Sequence, residues 1–281
     1  MNLSIIANAK INIGLKITGL LDNGYHTLHS LFQEIDLCDH ISAGLTDDGK
    51  IKLTSTGLAI PGKENLVEKA ALLLQKKYNV STGAAIRLQK NIPIGAGLGG
   101  GSSDAAATVR ALNSLWELNI SRNELENLAS ELGADVPFFI QGGLQLAEGT
   151  GEILSPIVPS PFSEYTILLV KPDFSVSTAE AYAELNKYLR LPAESPKFAA
   201  SLAPINWRLF ENDFERVLLS TYPEVRTIKS TLLEGGAVFA GLSGSGSTMF
   251  GIFDHRELAA QASVHLSAYQ TIVTHPVECS N

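Results

Sequence analysis

The chain of 281 residues reads as an α+β fold in two parts, an N-terminal α+β domain and a smaller C-terminal α/β sandwich. Three observations carry that expectation. Residues 5–17 alternate between apolar and polar or small positions, the period of a strand with one buried face. Stretches of helical period alternate with short strand-like runs on both sides of a cluster formed by Pro156, Pro159 and Pro161. A run of glycines opens directly into one of the helical stretches. The proline cluster sets the domain boundary, giving domains 1–160 and 161–281.

In the first strand Ile5, Ala7, Ala9, Ile11, Ile13, Leu15 and Ile17 line one face. Asn8, Lys10, Asn12, Gly14 and Lys16 point the other way, so that face is either solvated or turned toward a site. Asp22-Asn23-Gly24 is a turn signal, and SLFQEID, HISAGL and KIKLTSTG follow as further strands. Residues 65–78 form an amphipathic helix with Leu66, Ala70, Leu73 and Leu74 on one stripe. AAIRLQK is the strand leading to the glycines; the helix AAATVRALNSLW comes after them, with Ser102, Ser103 and Asp104 as its capping residues. Ser121-Arg122-Asn123-Glu124 is a capping box that opens a helix to about Leu132. GLQLAEG and GEILSPI form a hairpin. Past the boundary come strand YTILLVK, helices over 178–190, 209–220 and 223–234, strand AVFAG, a Gly/Ser loop, strand TMFGIF, a helix and a last strand.

Composition bounds the function. The 45% hydrophobic and 18% charged content is that of a soluble globular chain, and a formal net charge of −8 argues against nucleic acid as the partner. Cys38 and Cys279 are too few and too far apart for a disulfide framework and suit a reducing cytoplasm. No apolar run reaches membrane-spanning length and no signal-peptide core stands at the start, so a cytoplasmic enzyme is expected.

The chemistry-bearing segment is Pro93-Ile94-Gly95-Ala96-Gly97-Leu98-Gly99-Gly100-Gly101-Ser102-Ser103-Asp104, with five glycines within seven residues. Glycines let main-chain N–H groups approach a phosphate closely, and the helix that follows adds open donors and the positive end of its dipole. Gly95, Gly97 and Gly100 also satisfy the dinucleotide fingerprint, but the acidic residue that motif needs about 20 positions on would fall near Glu117, at the end of the helix itself. The lysine of a P-loop is missing, since Ser102 follows the glycines. A second loop, Gly241-Leu242-Ser243-Gly244-Ser245-Gly246-Ser247-Thr248, is either a plain hairpin loop or a second ligand-contacting loop.

Asp135 lies in the apolar stretch LGADVPFF, as a helix cap or as a carboxylate needing a cationic partner. Tyr25 and His26 follow the Gly24 turn, where aromatic rings can stack on a base or sugar. No carboxylate or cysteine pattern completes a metal site around His26 and His29, which read as packing residues; no metal ligand is assigned.

PIGAGLGGGSSDAA resembles the phosphate-binding motif of the GHMP small-molecule kinases, and GLSGSGST resembles their C-terminal motif. NAKINIGLKI, DNGYHTL, GADVPFF and the END-x-E-like segment at 211–215 are similar to one branch of that family, whose acceptor is a cytidyl-diphosphate-linked methylerythritol. The resemblance runs over essentially the whole chain. It implies a two-lobed kinase using ATP with Mg2+, a catalytic pair Lys10 and Asp135, and ATP phosphates cradled by residues 93–103. Asn65 would border the adenine, Asn12 the methylerythritol end, and Tyr25, His26, Phe32 and Tyr182 the cytosine. The 241–248 loop would lie near the phosphates, and Ser102 or Ser103 would be the protein contact to magnesium. The alternative acceptors within the family are homoserine or mevalonate. Outside it stand an NAD-dependent oxidoreductase and a nucleotide-binding module without catalysis, the last of which would need neither Lys10 nor Asp135.

Overall fold

The computed structural model describes residues 2–59 and 65–279. The chain divides into two compact units, each discontinuous in sequence. One comprises residues 2–9, 37–59, 65–94 and 99–142; the other comprises 10–36, 95–98 and 143–279.

Two long strands pass from one unit to the other. β1 covers Asn2–Leu20 and β2 covers His26–Thr46. SLFQEID and HISAGL, expected as separate strands, are one strand because Leu37-Cys38-Asp39 stays extended. Asp39 is fully buried and accepts the N–H groups of Asn91 and Ile92.

In the first unit the second half of β2 pairs antiparallel with β4 (Gly83–Lys90), and β3 (Ile51–Gly57) runs parallel to β4 on its other side. β4 alternates as a half-buried strand should: Ala84, Ile86 and Leu88 face inward while Ala85, Arg87 and Gln89 are exposed. Helices α1 (Leu66–Lys77), α2 (Gly100–Leu115), α3 (Arg122–Ser130) and the short α4 (Phe138–Gln141) complete the unit. Val67, Ala70, Ala71 and Leu74 are the buried stripe of α1, one position removed from the predicted stripe at Leu66 and Leu73. α2 packs against α1, α3 and α4, and Ala105 through Val109 with Ala111, Leu112 and Leu115 are buried, so it is apolar almost all round. Each large aliphatic side chain buried there contributes about 1.5–3 kcal/mol.

In the second unit the first half of β2 pairs with β5 (Leu144–Glu148), which forms the predicted hairpin with β6 (Ile153–Pro156). A separate antiparallel sheet has the order β10-β7-β9-β8, from Thr166–Lys171 (β7), Phe239–Leu242 (β8), Met249–Phe253 (β9) and Gln270–Thr274 (β10). α7 (Pro223–Glu234) and α8 (Arg256–His265) pack on it, and α5 (Thr178–Leu185) and α6 (Asp213–Thr221) pack on each other. Every residue of β9 is buried. An aromatic cluster, with Trp207 stacked on Phe239 at 5.6 Å and Phe239 against Phe250 at 5.8 Å, meets its Phe250. α5 ends at Leu185, short of the predicted 190, and α6 starts at Asp213, where the Asn212 side chain caps it by accepting from Phe214 N.

Candidate active site

The strand that supplies Lys10 and Asn12 is not solvated on its polar face. Asn12 is 1% exposed and Lys10 4%, and Gly14 is buried with them. The Lys10 ammonium donates to Asn12 Oδ1 at 2.5 Å and lies 4.8 Å over the Phe32 ring. Asn12 Nδ2 donates to Ser30 Oγ at 3.0 Å, and the Ser30 hydroxyl donates to the Gly14 carbonyl at 2.7 Å. Both ends of the Asn12 amide are therefore committed, which fixes the lysine head in one place. A buried ammonium is costly without such partners, so this face is built for a task. Ile5, placed by the alternation on the buried face, is only half-buried.

The two glycine loops meet beside this strand. Lys10 N donates to Leu98 O at 3.0 Å, Ser243 Oγ to Gly97 O at 2.8 Å, and Thr248 N to Ala96 O at 3.3 Å. Gly97 has φ +78°, and a Cβ there would overlap the Ser243 carbonyl oxygen. The 241–248 segment is thus no free hairpin loop. It is held from below by the END-x-E segment: Asn212 Nδ2 donates to Leu242 O and Gly244 O at 2.8 Å each, and Glu215 accepts from Leu242 N at 3.0 Å. Each net bond of this kind is worth about 1 kcal/mol. Asp213 accepts from Ile17 N and from Lys16, both at 2.8 Å, fastening the same segment to β1. Asn212 stood within the END-x-E-like segment without a role of its own, and Ser30 was not singled out from sequence. A cap residue preceding α6 was the available signal for Asn212, and nothing local marks Ser30.

The glycine run leads directly into α2, but with a different cap from the one expected. α2 begins at Gly100, with Gly99 in the left-handed region (φ +68°) as its N-cap and no side-chain cap bond. Ser102, Ser103 and Asp104 lie inside the helix rather than before it. Without a Cβ on Gly99 to Gly101 the chain can turn helical early, and the first N–H groups keep clear of side-chain caps. Pro93 is buried, Ile94 is half-buried, and Gly95 and Gly101 are exposed. Asn65 caps α1, its Oδ1 accepting from Val67 N at 2.9 Å.

Asp135 is half-buried in the turn between α3 and α4, where Val136 N closes on Gly133 O at 3.2 Å. Tyr25 follows the Asp22-Asn23-Gly24 turn and is 64% exposed, its N–H held by Asn23 Oδ1 at 3.0 Å. His26 is buried, hydrogen-bonded through Nε2 to Asn186 Oδ1 at 2.6 Å, and stacked on Tyr182 with centroids 4.9 Å apart and 24° between planes. Tyr182 in turn meets Phe214 edge-on at 4.9 Å. A base between His26 and Tyr182 would need two stacking contacts of about 3.5 Å each; as the rings stand, they contact each other and leave no such gap. Phe32, 2% exposed, serves the Lys10 ammonium.

His29 packs as expected. It lies against Phe198 at 5.3 Å with Glu148 3.6 Å from Nε2, and burial draws its pKa below the usual histidine value against the pull of Glu148. Among the described residues no group of three or more His, Cys, Asp or Glu could hold a metal ion. Magnesium is commonly carried in by nucleotide phosphates with few protein ligands, and the hydroxyl of half-buried Ser102 on the first turn of α2 fits that mode.

A buried lysine on β1 thus stands beside two glycine loops that touch, and the chain is a small-molecule kinase by its relatives. The chain belongs to the GHMP kinase family: residues 65–143 match the GHMP kinases N terminal domain and residues 191–270 the GHMP kinases C terminal model. Its relatives include the 4-diphosphocytidyl-2-C-methyl-D-erythritol kinase of Chlorobium phaeobacteroides, 40% identical over 98% of this chain and 95% of the relative. That of Thermodesulfovibrio yellowstonii is 40% identical over 94% of each chain. A crystal structure of 4-(cytidine 5'-diphospho)-2C-methyl-D-erythritol kinase superposes with a TM-score of 0.83 at 30% identity, over 98% of this chain and 99% of that one. The Methanococcus jannaschii mevalonate kinase shares the fold, with a TM-score of 0.77 at 16% identity over 99% of each chain.

Proposed function

We propose that this kinase transfers the γ-phosphoryl group of ATP to the 2-hydroxyl of 4-diphosphocytidyl-2-C-methyl-D-erythritol. The observation that carries this reading is the meeting of the two glycine loops beside the buried Lys10–Asn12–Ser30 chain, in a sequence similar along its length to kinases of that name. Residues 93–103 receive the ATP phosphates on main-chain N–H groups, and Asn65 borders the adenine. Asp135 accepts the proton of the 2-hydroxyl as its oxygen bonds to the γ-phosphorus and the bond to the ADP oxygen breaks. Lys10, oriented by Asn12, stabilises the alkoxide; Asn12 also contacts the methylerythritol end. Ser102 or Ser103 would be the protein contact for magnesium bound with the ATP, which would supply neutralisation of phosphate charge.

For the cytosine, Tyr25 offers its exposed ring, while His26 braced by Tyr182 forms a wall of the pocket and Phe32 its floor. A boundary at 160/161 is kept as the division between the two family segments, which fall on either side of it, although the compact units do not follow it: Lys10 and residues 95–98 lie in the same unit as the 241–248 loop. The reaction is assigned to the cytoplasm, where ATP is supplied; among the described residues no helix is long and apolar enough to cross a membrane.

The test is ADP release with Mg-ATP and the cytidyl substrate, with homoserine and mevalonate in parallel. Turnover with the cytidyl substrate alone is expected. Turnover with another alcohol instead would retain the kinase and discard the cytosine pocket, and absence of turnover with all three would overturn the reading.

A further inference from the structure

Beneath the glycine loop lies a group of charges that the proposed reaction does not use. Lys90, the last residue of β4, is 4% exposed; Asp39 of β2 and Asp104 of α2 are 0% and 3% exposed. The Lys90 ammonium donates to Asp39 Oδ2 and, at 2.7 Å, to Asp104 Oδ2. The other oxygen of Asp39 accepts from Asn91 N at 2.5 Å and Ile92 N at 2.8 Å. These two N–H groups belong to the residues by which the chain enters the loop. Asp104 belongs to the helix by which it leaves, and its carbonyl is bonded by the Thr108 hydroxyl at 2.7 Å. One ammonium thus joins the two ends of the segment from Ile92 to Gly100. Gly100 closes directly over it: a Cβ there would come within 2.9 Å of Lys90 Nζ and 2.8 Å of Ile92 Cγ2.

A buried ionic group is weak evidence for stability, because well-packed apolar residues often serve as well. Here its placement has a different consequence. Anion recognition by main-chain N–H groups needs those groups fixed before the ligand arrives, since ordering them at binding would cost affinity. Without the lysine the two carboxylates would face each other at the base of the loop, and its ends would part. Burial, opposed by Lys90 and reinforced by Asp39, also pushes the Asp104 carboxyl up to about 7, and its Oδ1 is buried with no partner.

We propose that Lys90 and Asp104 are positioning residues for nucleotide binding: with Asp39 they tie the two ends of the glycine loop together and hold its N–H groups in place for the ATP phosphates. The inference rests on the reading of residues 93–103 as the phosphate loop. It is tested on the full chain with Asp104→Ala, Asp104→Asn and Lys90→Met, measuring the dissociation constants of ATP and of the cytidyl acceptor separately by calorimetry, and kcat at saturating ATP.

Asp104→Ala is expected to weaken ATP at least tenfold and to leave the acceptor within twofold and kcat within threefold. Asp104→Asn, which keeps an oxygen for Lys90, is expected to restore most of the ATP affinity. Lys90→Met, where it folds, is expected to behave as Asp104→Ala; where it does not, the Ala/Asn pair decides. Equal weakening of both ligands in Asp104→Ala, or ATP affinity within twofold of the parent, would overturn the inference. Hydrogen exchange of the parent chain with and without ATP separates the two failures. Protection of 95–103 with an unaffected Asp104→Ala defeats the positioning role alone, whereas absence of protection there defeats the phosphate-loop reading on which it stands.

Discussion

Gly97→Ala measures how much the contact between the two glycine loops matters. Gly97 has φ +78°, and its hypothetical Cβ meets the Ser243 carbonyl oxygen, which is main chain and has no side-chain freedom to move aside. Ser243 is itself pinned, its N–H donating to Thr248 O at 3.0 Å and its hydroxyl to Gly97 O at 2.8 Å. The left-handed backbone costs a residue with a Cβ about 1–2 kcal/mol. Displacing Ser243 adds an overpacking cost of about 1–3 kcal/mol, and the Ser243–Gly97 bond is worth roughly 1 kcal/mol more. Gly95→Ala is the control. It also has positive φ (+64°), but nothing lies within 4 Å of its Cβ, so only the backbone cost applies.

The assay is urea unfolding of both variants beside the parent. Gly97→Ala is expected to lose about 3–6 kcal/mol and Gly95→Ala about 1–2 kcal/mol. Equal losses in the two would refute the loop contact, because the steric component would then be missing.

Asp135→Asn keeps side-chain volume and removes the base. It should lower kcat by about 10²–10⁴ while ATP binding stays within twofold, and near-native kcat in a single-turnover assay would remove Asp135 from the mechanism. Tyr25→Ala should raise KM for the cytidyl substrate by roughly tenfold, the worth of one base–aromatic stack, and leave KM for ATP unchanged; equal effects on both would sink the stacking role. Stability should fall as pH rises from about 4 to about 7. Asp104 keeps its proton in the folded chain, where its pKa is about 7, after the unfolded chain, with a value of 3.8, has released it. The slope is at most about 1.4 kcal/mol per pH unit. Melting curves at pH 5, 6, 7 and 8 check it, and an Asp104→Asn chain with the same slope as the parent would assign it to other groups.

Most elements were legible because they are written in local chemistry. The Asp22-Asn23-Gly24 turn, the Ser121 cap of α3, the β5–β6 hairpin and the strands around the 241–248 loop each depend on residues a few positions apart. The places where the local reading failed share one cause. Asp104 looked like a cap because its true partner, Lys90, is 14 residues away, and nothing local marked Asp39, whose bond to the same lysine spans 51. Lys10 and Asn12 looked solvent-facing as readily as site-facing, since alternation says which residues share a side and not what covers it. His26 and Tyr182 were named together for one pocket, yet their direct stacking could be seen only once residues 156 apart in the chain were brought face to face.

By itself, then, the sequence determined the two glycine loops, the strand carrying Lys10 and Asn12, and through their combination the kinase family. Backbone freedom, capping and strand period are properties of neighbouring residues, and a chain carries them wherever it folds. Only the tertiary structure decided that Gly97 and Ser243 touch, that Asn212 carries the second loop, and that one buried ammonium joins the ends of the first. Those are contacts between segments distant in the chain. Which polar group meets which depends on how the apolar faces pack, and no local spacing records that.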